Sequence, residues 1–388
     1  MHVGINAQLL AFTGDYRAAG LSQHIEDLIT GLLALPDDTR YTLYVGPGAR
    51  DRPRSFARSL RSEIRETRWP TLQPEARIAW EQVALPIRAR RDALDLLHCP
   101  VLIQPLLAPV PTVVTVHDLI FLRYPDRFPR LKRLYLRALA ARSLRGARRV
   151  IAVSEATRRD VTALMGIPAE KITVVPNGVD TRRFYRRPAE KVAAFRAEHG
   201  LPERMILYLG TLEPRKNLPL LLRAYAAARA DLGGAQLVIG GGKGWYYAEI
   251  FRVARELGLA DGPGAVRFAG YVPDGELPMW YNSATAFVYP SEYEGFGLPP
   301  LEAMACGTPV ITADRAALPE VVGDAGLLID PSSPDALADA LRAVLCRPEV
   351  AARLAAAGVA RAARFPWSAT AAATLAVYHA ALAPSGRE

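Results

Sequence analysis

Short runs of continuously apolar residues alternate with helical patterns along almost the whole chain. In the first half these runs fall at 2–10, 41–45, 94–98, 112–117, 149–153 and 172–175. In the second half they fall at 205–209, 236–239, 266–269, 286–289, 310–312 and 327–329. Helical patterns lie between several of them, at 22–35, 155–165, 218–230, 247–257 and 300–305. Runs that are apolar throughout, rather than alternating, mark strands of parallel sheets covered on both faces. Two successive βαβ series therefore predict an α/β protein with two doubly wound Rossmann-like domains. Ligands in such folds bind outside the carboxyl ends of the strands, so two facing domains would share a central cleft. The expected hinge is Pro176-Asn177-Gly178-Val179-Asp180, which puts the domains at 1–180 and 181–365. In the tail, 366–388, Ser368 is expected to cap a helix with Leu375, Tyr378 and Leu382 on one face.

Composition narrows the class without naming the chemistry. At 388 residues, half of them hydrophobic, the chain exceeds one compact core and reads as an ordinary globular protein. No stretch reaches the roughly 18 apolar residues of a membrane span, and the start, Met1 to Asn6, reads as a strand rather than a signal peptide. A cytoplasmic location is the expectation. Cys99, Cys306 and Cys346 form no C-x-x-C pair and are expected to be buried small hydrophobes. The net charge of +9 sits in the first half, where 26 Lys and Arg face 18 Asp and Glu through Asp180. Runs at 50–68 and 127–149 concentrate it. In the second run Leu131, Leu134, Leu139 and Leu144 can form a core-facing stripe under a solvated arginine face. An anionic membrane or lipid-phosphate contact is the competing reading.

Two segments carry candidate chemistry. Glu294-Gly295-Phe296-Gly297-Leu298-Pro299-Pro300-Leu301-Glu302 follows one apolar run and enters a helix. Prolines suit a first helical turn, and glycines let backbone approach a ligand closely. The free N–H groups of such a turn make a phosphate site, at which Glu294 and Glu302 can face sugar or ribose hydroxyls. Gly210-Thr-Leu-Glu-Pro-Arg215-Lys216 follows another run, and its two cations could neutralise a diphosphate leaving group. Taken singly, a Gly/Pro turn and a solvated basic pair would explain each segment equally well.

Together, G-T-L-E-P-R-K-N and E-G-F-G-L-P-P-L-E-A-M-A-C-G-T-P-V resemble the retaining GT-B glycosyltransferases of family 4 (group 1). V-T-V-H-D-L at 114–119, V-I-A-V-S-E-A-T at 150–157 and V-V-P-N-G-V-D at 174–180 extend the resemblance to nearly the whole chain. Lys243-Gly-Trp-Tyr-Tyr-Ala-Glu249 is most similar to its mannosyltransferase-like branch. The resemblance implies an N-terminal acceptor domain, to which the tail helix returns, and a C-terminal donor domain. It implies that Glu302 binds the ribose, that Glu294 contacts the transferred sugar, and that Arg215 and Lys216 hold the diphosphate. Gly210, Gly295, Phe296, Gly297 and Leu298 would line the donor site, with Tyr271 and Val272 near the base. His117 would position the sugar. Gly14, Gly20, Asp118, Ser154 and Asn177 would line the cleft on the acceptor side. Many members carry an arginine just after the glycine that ends the strand, where this chain has Thr211. The implied partners are a nucleotide sugar (GDP-mannose, then a UDP-hexose) and a glycan or lipid-linked acceptor, with peripheral membrane contact as a further expectation.

No D-x-D triplet occurs, so no cofactor or metal is expected, the cations and helix terminus taking that role. A dinucleotide oxidoreductase is disfavoured because no run is followed by G-x-G-x-x-G. Nucleic acid is not an expected partner, since the basic runs lack interleaved aromatics. A non-transferase enzyme of the same architecture, such as a nucleotide-sugar epimerase, remains the alternative.

Overall fold

The uninterrupted apolar runs become two all-parallel sheets in the computed structural model, which describes residues 1–10, 20–48, 59–124, 130–262 and 264–384. The first sheet comprises β1 (His2–Ala7), β2 (Arg40–Val45), β3 (Ser62–Glu66), β4 (Leu96–Cys99), β5 (Thr112–Val116), β6 (Arg149–Ala152) and β7 (Ile172–Val174). Its order is β3-β2-β1-β4-β5-β6-β7. The second comprises β8 (Met205–Leu209), β9 (Gln236–Gly240), β10 (Arg267–Gly270), β11 (Ala286–Tyr289), β12 (Val310–Ala313) and β13 (Leu327–Ile329), in the order β10-β9-β8-β11-β12-β13. The winding reverses between β1 and β4 and again between β8 and β11. A doubly wound sheet leaves its ligand crevice at such a point.

One strand departs from the expectation. β3 lies inside the basic run, with burial that alternates residue by residue. It is an edge strand, and charged side chains on its outer face guard that edge against further pairing.

The chain forms two compact units, Met1–Gly178 with Trp367–Glu388, and Val179–Pro366. In the first, the helices Leu21–Ala34 and Trp367–Leu382 pack so closely that a Cβ added at Gly31 would lie 3.0 Å from the Ala371 Cβ. The Tyr378 hydroxyl meets the His98 Nδ1 at 2.8 Å in the buried core. Ser368 is not the cap of this helix; it lies within its first turn. The buried face runs through Thr370, Ala371, Thr374, Val377, Tyr378 and Ala381, whereas Leu375 and Leu382 are only partly buried. Close packing against Gly31 selects the small side chains, so the seam follows alanine and threonine rather than leucine.

The helix Arg130–Gly146 buries Leu139 and Leu144 and exposes Arg137, Arg142 and Arg145, the pattern of a core stripe under a solvated face. Leu131 and Leu134 have side chains outside the described set. Cys99 and Cys306 are buried; Cys346, at the last turn of Pro334–Cys346, is exposed, contrary to the expectation for all three. Among the described residues no helix is long and apolar enough to cross a membrane.

Candidate functional site

The second unit gathers its chemistry at the carboxyl ends of β8 and β11. After β8 the chain turns through Pro214–Lys216, a single 3-10 turn that presents Arg215 and Lys216. After β11 it runs through Ser291 and Glu294 into the helix Leu298–Ala305. The two loops are tied by backbone, the Glu292 N–H donating to the Arg215 carbonyl at 2.9 Å. On that frame four donors converge on one oxygen, the Glu294 Oε1. Lys216 Nζ and an Arg215 Nη each lie 2.6 Å away, Ser291 Oγ 2.6 Å and the Tyr289 hydroxyl 3.1 Å. Lys216 also donates to the Tyr289 hydroxyl, and the Arg215 Nε lies 2.5 Å from Glu213 Oε1.

This network is buried, Lys216 being 5% exposed and Glu213 3%. Burial alone would raise the pKa of Glu294, but Lys216 and Arg215 outweigh it and hold the carboxyl at about 2. Burial lowers the ammonium of Lys216 against the pull of Glu294, and raises the carboxyl of Glu213 against Arg215 and Lys216. With all four ionised the charges cancel. The expected solvated basic pair is thus a neutralised buried cluster, because two cations on one turn meet Glu213 at the start of that turn and Glu294 across the loop junction.

Glycines let the backbone of this site pack closely. Gly241, at φ 148°, stands so close to the preceding loop that an added Cβ would lie 1.9 Å from the Gly210 carbonyl oxygen. Gly297, at φ 127°, precedes the helix Leu298–Ala305, and the amides of Phe296, Gly297 and Leu298 carry no backbone hydrogen bond among the described residues. Such amides, at the positive end of a helix, suit an anion. Phe296 is buried.

Glu302 stands apart from this cluster. Its Oε2 accepts from the Tyr281 hydroxyl at 2.8 Å. A run of rings connects the two carboxylates: Tyr281 meets Phe287 edge-on at 5.2 Å, Phe287 stacks on Tyr289 at 5.9 Å, and Tyr289 on Tyr208 at 5.9 Å. Tyr271 is exposed and Val272 buried, just beyond β10. Sequence reading missed Tyr289, Ser291, Tyr281 and Glu213. Only Glu213 left a signal, as a third charge within the quoted motif.

In the first unit, His117 follows β5. Its Nε2 lies 2.9 Å from the Pro100 carbonyl. A carbonyl only accepts, so Nε2 carries the proton and Nδ1 keeps a lone pair. Burial lowers the pKa of His117, leaving the ring neutral near pH 7. Edge-on to it, with ring centroids 4.4 Å apart, is His24, which the sequence reading overlooked. His24 is fully buried, and burial pushes its pKa well down, with the nearby histidines adding to this and a side-chain hydrogen bond with Asn177 opposing it. Asn177 is buried beside it. Asp118 accepts from the Ile120 N–H and Ser154 caps the helix Glu155–Met165, which gives both a structural duty. Gly20, at φ 64°, precedes the helix Leu21–Ala34. Gly14 lies outside the described residues.

Residues 192–361 match the family described as glycosyl transferases group 1, and residues 18–183 match glycosyltransferase family 4. The O-antigen chain mannosyltransferase B of Escherichia coli is 36% identical over 256 residues, 66% of this chain and 66% of that protein. The D-inositol 3-phosphate glycosyltransferase of Thermobispora bispora is 40% identical over 248 residues, 61% of this chain and 56% of that protein. Each match thus spans less than two thirds of the relative's own length. Among solved structures, sucrose-phosphate synthase from Thermosynechococcus elongatus superposes with a TM-score of 0.77 at 23% identity, covering 98% of both chains. Anabaena Alr3699/HepE, in complex with UDP-glucose, gives 0.74 at 20% identity, covering 98% of this chain and all of that one. At such identities these two establish the fold: a pair of Rossmann-like units, the GT-B architecture.

Proposed function

The chain belongs to family 4, group 1, of the glycosyltransferases, and on that premise we propose that it moves a hexosyl group from a nucleotide-diphosphate sugar to an acceptor hydroxyl, with retention and without a metal. The observation that carries this reading is the convergence of Arg215, Lys216, Ser291 and Tyr289 on Glu294 beside the open amides of Phe296, Gly297 and Leu298. An arriving diphosphate competes for the two cations and takes the helix amides. Glu294, released in part, accepts hydroxyls of the transferred sugar. The cations then stabilise the charge that grows on the leaving diphosphate, without a divalent ion. Glu302 holds the ribose, its carboxylate oriented by Tyr281.

Mannose is the first choice of sugar, on the likeness to the mannosyltransferase of Escherichia coli. Glucose is the second, and a glycan or lipid-linked hydroxyl is the acceptor. Thermal-shift screening with GDP, UDP and their mannose and glucose conjugates tests the donor, since a ligand at 100 times its Kd stabilises by about 2.7 kcal/mol. Product anomers read by NMR test retention, and unchanged turnover in EDTA tests metal independence. Epimerisation of the nucleotide sugar without transfer would replace this reading with the epimerase alternative.

A further inference from the structure

Glu213 is the member of the buried cluster to which the transfer chemistry gives no task. It immediately precedes the turn Pro214–Lys216 and is 3% exposed. Its Oε1 lies 2.5 Å from the Arg215 Nε, and Arg215 and Lys216 supply its counter-charge. The elements packed around it bring further charged and titratable groups. The loop after β11 carries Glu294, which shares both cations with Glu213. β8 contributes the buried phenol of Tyr208. The loop after β9 presses so close that a Cβ added at Gly244 would lie 3.4 Å from the Glu213 Cβ. Lys243, on the same loop, places its Nζ 5.2 Å from the centroid of the Tyr247 ring.

The charges of Glu213, Arg215, Lys216 and Glu294 cancel before any ligand arrives. The diphosphate of a nucleotide sugar adds one negative charge on each esterified phosphate. Two cations then face two phosphates and two buried carboxylates. A buried ionisable group that loses its counter-charge shifts its pKa and neutralises. The cations are favoured in their charged form beside the phosphates, so the proton goes to a carboxylate. The two carboxylates are not equivalent. Glu294 Oε1 keeps the Ser291 hydroxyl at 2.6 Å and the Tyr289 hydroxyl at 3.1 Å when the cations turn to the phosphates. Glu213 draws its counter-charge from the same Arg215 and Lys216 that the diphosphate engages. Burial already raises the carboxyl of Glu213 in the free cluster, whereas Glu294 is held at about 2.

We propose that Glu213 takes a proton from solvent onto its carboxylate as the donor binds and returns it when the diphosphate leaves, which couples donor affinity to pH. The proposal rests on the donor reading of this site and adds to it the residue that balances its charge. A proton taken up with the ligand makes affinity fall as pH rises, by at most about tenfold per pH unit. The fall is confined to the window between the pKa of Glu213 in the free and in the loaded site.

Isothermal titration of the full chain with GDP-mannose and UDP-glucose, in Pipes and in imidazole buffer from pH 6 to 8, tests it. The sugar esters are the probes because the terminal phosphate of free GDP or UDP itself titrates at about pH 6. The binding heat should differ between the two buffers by the uptake of up to one proton, and Kd should rise several-fold across the range. Glu213→Gln keeps the size of the side chain but cannot ionise. It should bind at least as tightly as the native chain at pH 8, without buffer dependence and with a flatter pH profile. Thermal unfolding reports that this variant is folded, and the buffer dependence of the native chain decides the first point without it. Binding to the native chain with no proton uptake would overturn the proposal. Uptake that persists in Glu213→Gln would also overturn it, and would assign the proton to Glu294 or Lys216. Failure of both ligands to bind at any pH would overturn the donor reading itself, and this proposal with it.

Discussion

The polar groups of the two units are arranged in opposite ways. In the second unit every charge at the carboxyl ends of β8 and β11 is engaged, with four donors on a single Glu294 oxygen. In the first, the buried polar groups are mostly uncharged: His24 lies against Asn177, Asn6 Nδ2 donates to Glu81, and both side-chain amide atoms of Gln8 and the Thr71 Oγ1 have no hydrogen-bond partner among the described residues. Charged groups cannot be left bare in a buried site, because an unpaired buried ion costs several kcal/mol. Neutral amides and imidazoles cost about 1–3 kcal/mol each, which a folded unit can tolerate. The charged half is therefore assembled before its ligand arrives.

The contrast breaks most visibly where an ion loses its partner. Glu294→Ala leaves two buried cations, and Lys216→Ala removes the main counter-charge. Each should lower unfolding stability by ~3–5 kcal/mol in urea titrations. Each should also cut kcat/KM by about 10²–10³. A stability loss under 1 kcal/mol in both would mean the network is not the anchor described. Acid sharpens the comparison next. His24, His98 and His117 have folded pKa values below their ordinary 6.5, His98 at about 3. Their contribution to stability is present above pH 6.5 and is lost as pH falls below it. The raised carboxyl of Glu81 opposes this in part. Glu294, held at about 2 against 4.5, keeps its contribution until pH falls below 4.5. Hydrogen exchange at pH 7.5 and 5.5 should show the first unit loosening while β8 and β11 remain protected. The smallest effect belongs to His24→Phe, which keeps a buried ring and removes its hydrogen bond with Asn177. A loss of about 1 kcal/mol is expected, and no loss at all would mean that the bond adds nothing to stability.

Continuously apolar strands were legible because burial on both faces removes polar positions, and this placed almost every strand. β3 was not, because its alternating charges hide an edge strand within a basic run. At the donor site, residue types after strand ends were enough to pick Arg215, Lys216 and Glu294. Their mutual neutralisation was not readable, because Lys216 and Glu294 meet across 78 positions of sequence. Asn6 and Gln8 did leave a trace: two amides spaced by two inside an otherwise apolar run share one face of a strand. His24 left none, since one histidine on an amphipathic helix says nothing of its neighbours.

The seam between Leu21–Ala34 and Trp367–Leu382 bears on when each unit can form. The second unit is one uninterrupted stretch, Val179–Pro366. The first must close a loop around it, as the bond between His98 and Tyr378 spans 280 positions. Contacts so distant along a chain slow folding, because the entropy of closure comes before any packing rewards it. The second unit can therefore complete its packing without the tail. The first completes its core only once residues 367–382 are there to pack against Leu21–Ala34.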